Sequence, residues 1–261
     1  MPGSEVLWLA LILFGAHVLA TITGFGSAVL ALPLMTLLLG LDLSRATLMP
    51  LGVAMSLWIL LRQWRAIDYR QLRIITLTAG LGLPVGMALF SWMPRGVTTL
   101  VLGVVVVLSG IWGLSQVRRV KPVSLPAGLA RGLLFAGGVV HGSFTIGGSL
   151  LTIYSADAMR EKQAFRVTLS VVWLVLNAVL ITQWTWAGSW PAGTWRYALW
   201  SAPFVAAGIA AGEWLQSRLR ARPFHILVQA VILVCGVVLV YSVCGPSSRA
   251  AVAVAPAIIS K

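Results

Sequence analysis

Charged positions are rare enough along this chain to act as punctuation. The stretches 6–41, 46–61, 74–94, 96–117, 132–156, 167–195, 197–212 and 223–248 contain no Asp, Glu, Lys or Arg. About 20 apolar residues carry a helix across the hydrocarbon core of a bilayer. The pattern therefore predicts an all-α polytopic membrane protein of eight hydrophobic segments, with no room for a soluble domain. The first run is anomalous, because 36 residues in one helix would reach about 54 Å, against a core of about 30 Å. A break is needed, and "TITGFGSAVLALP", residues 21–33, sets Gly24, Phe25 and Gly26 in the middle of the run. Each helix-interior glycine costs about 1 kcal/mol relative to Ala, so the chain has a use for backbone there.

Composition agrees with the pattern. The 261 residues are 59% hydrophobic and 10% charged, where a soluble domain carries roughly 25% charged residues. The net charge of +13 is carried by short loops, with clusters at Arg62/Arg65/Arg70/Arg73, Arg118/Arg119/Lys121/Arg131 and Arg218/Arg220/Arg222. Such loops orient helices by the positive-inside rule and form no basic face, so nucleic acid is not an expected partner. Cys235 and Cys244 lie nine apart in the last segment and read as apolar filler. Glu5, with no Lys or Arg before Arg45, predicts that the first run is no cleaved signal peptide. The expected location is the cytoplasmic (inner) membrane, multi-pass, and a homo-oligomer is compatible with this composition.

With the basic clusters on the cytoplasmic side, 74–94 and 96–117 leave and return, with Arg95 outside. The pair 197–212 and 223–248 instead begins and ends outside. Opposite orientation of two such pairs predicts an inverted repeat, with 1–121 and 122–261 as the halves of one transmembrane domain. A shift of 121 positions supports it: "SRATLMPLGVAMS" falls on "FRVTLSVVWLVLN". Arg45 then meets Arg166, Thr47 meets Thr168, Ser56 meets Asn177, and Gly26 meets Gly147. Crossing parity puts Asp42 and Arg45 outside. The first segment of each repeat is then broken or re-entrant at its Gly-rich stretch; a kinked crossing is the alternative.

Irregular backbone at membrane depth persists only where protein or a water-filled cavity surrounds it. The start of each half-helix carries free N–H groups and a partial positive charge, which attract anions. Gly24, Gly26, Gly147 and Gly148 allow close approach, and Thr23, Ser27, Thr145 and Ser149 add hydroxyls. The pattern thus predicts an anion site shared by two breaks.

The stretches "GFGSAVLALPLM", "GGVVHGSFTIGGSLLTIY" and "FRVTLSVVWLVLN" resemble the sulfite exporter TauE/SafE family of membrane permeases, over most of the chain and most strongly from Gly137 to Asn177. The resemblance implies two repeats of about four hydrophobic segments and export of sulfite, organosulfonates or related small anions. The first copy departs from the family pattern, with Ser27 and Ala28 where further glycines are expected.

Single residues carry two readings each. Arg45 and Arg166 open their spans either as snorkelling anchors or as guanidinium forks for oxyanions. Asn177 and Ser56 lie about 15 Å into their spans, as interhelical glue or substrate contacts. Thr47 and Thr168 are candidates too, or bond their own helices. His17 and His141 precede the Gly-rich stretches, and an intramembrane ionisable group is a functional candidate by default; His225 reads as interfacial. Glu213 is expected to pair with a basic residue. Gly82/Gly86 and Gly208/Gly212 read as helix contacts, and Trp64, Trp92, Trp184, Trp186 and Trp190 as an aromatic belt.

The function expected is secondary transport, as export, of a small oxyanion such as sulfite or an organosulfonate, by alternating access, with no cofactor or metal and the bilayer as the other partner. A membrane scaffold without transport is the alternative. No enzyme is expected, since H-E-x-x-H, C-x-x-C, G-x-S-x-G and the nucleotide-phosphate loop are all missing from the sequence.

Overall fold

The structure is a computed structural model that describes residues 3–23, 27–117, 126–159, 161–216, 218 and 221–244. Ten α-helices and a short 3₁₀ turn, and no strand, occur among them. They are α1 (Gly3–Thr23), α2 (Ser27–Leu39), α3 (Leu41–Gln63), α4 (Tyr69–Trp92), α5 (Arg95–Val117), α6 (Ala127–Phe144), α7 (Gly148–Ala158), α8 (Lys162–Trp186), α9 (Thr194–Gln216) and α10 (Ala221–Cys244). Gly24, Phe25 and Gly26 lie outside the described residues, as do Arg118, Arg119, Lys121 and Arg220 of the basic loops.

Among the described residues, α6 and α7 share the fifth hydrophobic segment, while α1 and α2 lie on either side of residues 24–26 in the first. With 13 and 11 residues, α2 and α7 are only about 20 Å and 16 Å long, too short to cross the core. Four spans, Leu41–Ala66, Tyr69–Trp92, Arg95–Ser115 and Lys162–Trp186, are long and apolar enough to cross a membrane. Leu7–Ile22 and Gln229–Cys244 are shorter apolar helices. The outward faces of α4, α5, α9 and α10 expose Leu77, Leu81, Leu108, Leu199 and Val237. An apolar exterior of this kind suits lipid and not water.

One boundary differs from the sequence pattern. The apolar run 167–195 does not continue as helix to its end. α8 stops at Trp186, and Gly188 and Gly193 turn the chain with φ of +59° and +86°. Glycine adopts these left-handed angles without a Cβ penalty.

The helices pack in four main pairs: α1 on α9, α4 on α6, α3 on α8 and α5 on α10. Small residues make the closest approaches. A Cβ on Gly82 or Gly86 would collide with the α6 backbone at Phe135 or Val139, and one on Gly138 or Gly142 would strike α4 at Ala79 or Leu83. Gly208 and Gly212 likewise sit against Phe14, Val18 and Thr21 of α1. Both G-x-x-x-G pairs are therefore helix contacts, as small residues in membrane interfaces generally are.

Polar contacts tie the ends of the helices together. Asp42, in the first turn of α3, pairs with Arg95 at the start of α5 at 3.0 Å. At the opposite end of α3, Arg62 lies 3.8 Å from Glu213 of α9. Glu213 thus has a basic partner, contributed by α3.

Candidate functional site

The ends of α6 and α7 set up the site. α6 stops at Phe144, and Thr145 takes φ +60° while its N–H donates to the His141 carbonyl at 2.7 Å. This left-handed position after a helix is usually glycine or asparagine, and a β-branched residue there is a genuine outlier. Three residues on, α7 begins at Gly148. Gly147 is wedged against the Gly137 carbonyl and the His141 side chain, with no space for a Cβ.

Next to this corner lies a cavity of about 100 Å³, several times the ~10–15 Å³ that one water needs. Its polar lining comes from six elements: His17 of α1, Ser27 at the start of α2, Ser56 of α3, His141 of α6, Thr145 between α6 and α7, and Ser170 and Asn177 of α8. Gly148, at the start of α7, and Gly52 complete the polar and open wall, while Trp173, Met55 and Ile59 supply apolar area. Two short helices thus present their first residues to one space. The N–H groups of a helix's first turn have no intrahelical acceptor, so the start of α7, which follows the left-handed corner at Thr145, offers donors and a positive dipole.

The side chains around the cavity are held from behind. His141 is buried and stacks on Trp173 with ring centroids 5.3 Å apart, and it lines the cavity together with Asn177. His17 is held through Nδ1, which hydrogen-bonds the Leu13 carbonyl at 2.8 Å. The Asn177 carboxamide oxygen is buried and unpartnered. Buried polar atoms without partners are costly, and this one belongs to a residue that lines the cavity.

Of the residues singled out in the sequence, the cavity brings together His17, Ser27, Ser56, His141, Thr145, Gly148 and Asn177, with Gly147 directly behind His141. It does not include Arg45, Thr47, Ser149, Arg166 or Thr168. Thr168 has a structural task, since its hydroxyl accepts from the Asp68 N–H at 3.0 Å. Asp68 in turn caps α4 by accepting from the Gln71 N–H. Thr47 is buried with its hydroxyl unpartnered. Arg166 is half-buried near the start of α8. Arg45 is no snorkelling anchor: it is 1% exposed, its guanidinium lies 3.8 Å from the Phe90 ring centre, and it donates to the Gly142 carbonyl at 2.8 Å. Trp184 is also buried, 5.2 Å from that guanidinium, and so is no part of an exposed belt.

Trp173, Ser170 and Gly52 were not foreseen as site residues. Ser170, Trp173 and Asn177 recur at i, i+3 and i+7, the spacing of one helix face, and that periodicity within "FRVTLSVVWLVLN" was the available signal.

Comparison with known families decides the wider identity. The model of the family described as Sulfite exporter TauE/SafE matches residues 9–239, which includes all ten helices at least in part. The chain belongs to the sulfite exporter TauE/SafE family. It is accordingly a multi-pass membrane protein of a transporter family for sulfur anions. No curated protein and no solved structure matches the chain. Within the TauE/SafE match fall every polar residue of the cavity and both short helices.

Proposed function

We propose that the protein is a secondary transporter that exports a small oxyanion, sulfite or an organosulfonate, across the cytoplasmic membrane. The two halves, 1–121 and 122–261, act as inverted repeats that alternately open the cavity to each side. One observation carries this reading. The starts of α2 and α7, related by the 121-residue offset through Ser27 and Gly148, line the same cavity. Paired helix N-termini suit an anion, and Ser27, Thr145, His141 and Asn177 supply further polar contacts. The helix pairing is in keeping with a two-fold relation. Exchange of the halves turns α1 on α9 into α6 on α4, and leaves the pairs α3–α8 and α5–α10 as pairs.

Export needs no nucleotide. With the cell interior negative, each exported negative charge gains about 2.3 kcal/mol per 100 mV. Purified protein in liposomes loaded with sulfite or a sulfonate tests the proposal. The expected result is anion efflux that accelerates when a potassium gradient with valinomycin makes the loaded side negative. Well-folded protein that passes none of these anions would refute it.

A further inference from the structure

A second polar space lies beyond Arg45, at the end of the molecule where α3 begins and α8 ends. This vestibule of about 410 Å³ is lined by Asp42, Arg45, Phe90, Arg95, Gln183 and Trp184, among others. Arg45 lines it and reaches the α6 backbone beside the central cavity. Its Nη2 donates to the carbonyl of Gly142, the residue after His141, at 2.8 Å. Leu48, three positions further along α3, already lines the central cavity.

The remaining donors of Arg45 are unused. Nε and Nη1 are buried and have no hydrogen-bond partner among the described residues. Among the described residues no carboxylate forms an ion pair with the group; Asp42, the acid in the same helix, is engaged by Arg95 Nε at 3.0 Å. The charge rests instead on two aromatic faces, Phe90 and Trp184. The Phe90 ring also has the Arg95 guanidinium 4.5 Å from its centre. Two cations therefore share one ring beside a polar cavity. A buried cation with open N–H groups is an oxyanion receptor awaiting its acceptor, and the Asp42 carboxylate already occupies Arg95 as an oxyanion would.

We infer that Arg45 and Arg95 form a second oxyanion subsite in this vestibule, a way-station distinct from the central cavity. An oxyanion seats on the free N–H groups of Arg45 and competes with Asp42 for Arg95. The inference rests on the transport reading, because the ligand is the same class of anion.

Titration calorimetry of the full chain in detergent with sulfite tests it. Wild type is expected to bind two equivalents and Arg45→Gln one. Asp42→Asn is expected to tighten the outer equivalent about tenfold by removing its competitor, and Arg95→Gln to weaken it about tenfold. Asp42 and Arg95 are both well exposed, so these two variants serve even where Arg45→Gln fails to fold. A destabilised but otherwise unaffected site would show no tightening in Asp42→Asn. One equivalent in wild type, unchanged in all three variants, overturns the subsite while the central cavity stands. No binding in wild type overturns both readings.

Discussion

At the scale of single residues, the site is built from groups placed at a cost to stability. Thr145 holds a left-handed φ that favours glycine, a strain of order 1–3 kcal/mol. Thr145→Gly is therefore expected to raise the melting temperature in detergent, or leave it unchanged, while slowing sulfite flux through loss of the hydroxyl. A lower melting temperature with normal flux would mean that the side chain serves only to hold the fold. Gly147 and Gly148 separate in the same way. Gly147→Ala drives a Cβ into the Gly137 carbonyl and His141, an overpacking that costs about 1–3 kcal/mol. At Gly148 the added Cβ would meet Trp173 at 3.6 Å, an ordinary contact, so Gly148→Ala should melt like wild type and transport less. The glycines were legible in the sequence as costly residues in an apolar run. Trp173 was not, because a tryptophan in a hydrophobic helix carries no mark of the ring it stacks on.

At the scale of elements, close helix contact was legible and side-chain partnership was not. The spacing of Gly82/Gly86 announces an interface, but the answering surface of α6, where Gly138 and Gly142 meet Ala79 and Leu83, depends on contacts that no local pattern specifies. The contrast within α6 is testable. Gly138→Ala is expected to lower the melting temperature in detergent by the equivalent of about 1–3 kcal/mol. Gly132→Ala, on the same helix with nothing within 4 Å, should be neutral or stabilise by up to about 1 kcal/mol. Equal effects at both positions would contradict the α4–α6 packing. Thr168 gives a second case, since repeat symmetry with Thr47 made it a candidate for substrate. Its hydroxyl instead accepts from Asp68 at the entrance to α4. Thr168→Val should cost about 1 kcal/mol and leave the sulfite concentration dependence of flux unchanged.

At the scale of the whole molecule, the sparse charges determine orientation. Arg95 with Asp42 marks one end of the helices, and Arg62 with Glu213 marks the other. The loop-charge reading puts the first pair outside and the second at the cytoplasm. With Cys235 and Cys244 replaced by Ser, Ser189→Cys is expected to react with an impermeant maleimide on intact cells. Arg70→Cys, also exposed, should react only after permeabilisation, and the reverse result would invert the topology. Number and rough length of the hydrophobic segments followed from the charge pattern, because exclusion of charge from lipid is a local constraint. That the starts of α2 and α7 share one space was expected from the 121-residue offset, but the part played by Ser170 and Trp173 of α8 was not, because it depends on packing between residues more than 100 positions apart.

The central claim is that the cavity between the starts of α2 and α7 carries the oxyanion. It is tested most directly by sulfite efflux from liposomes containing equal amounts of folded wild type and Gly148→Leu, a change that extends a side chain from the α7 start toward Trp173 and into that space. The account predicts rapid efflux for wild type and little above empty liposomes for the variant. Equal efflux from both proteins, with the variant melting normally, would contradict it.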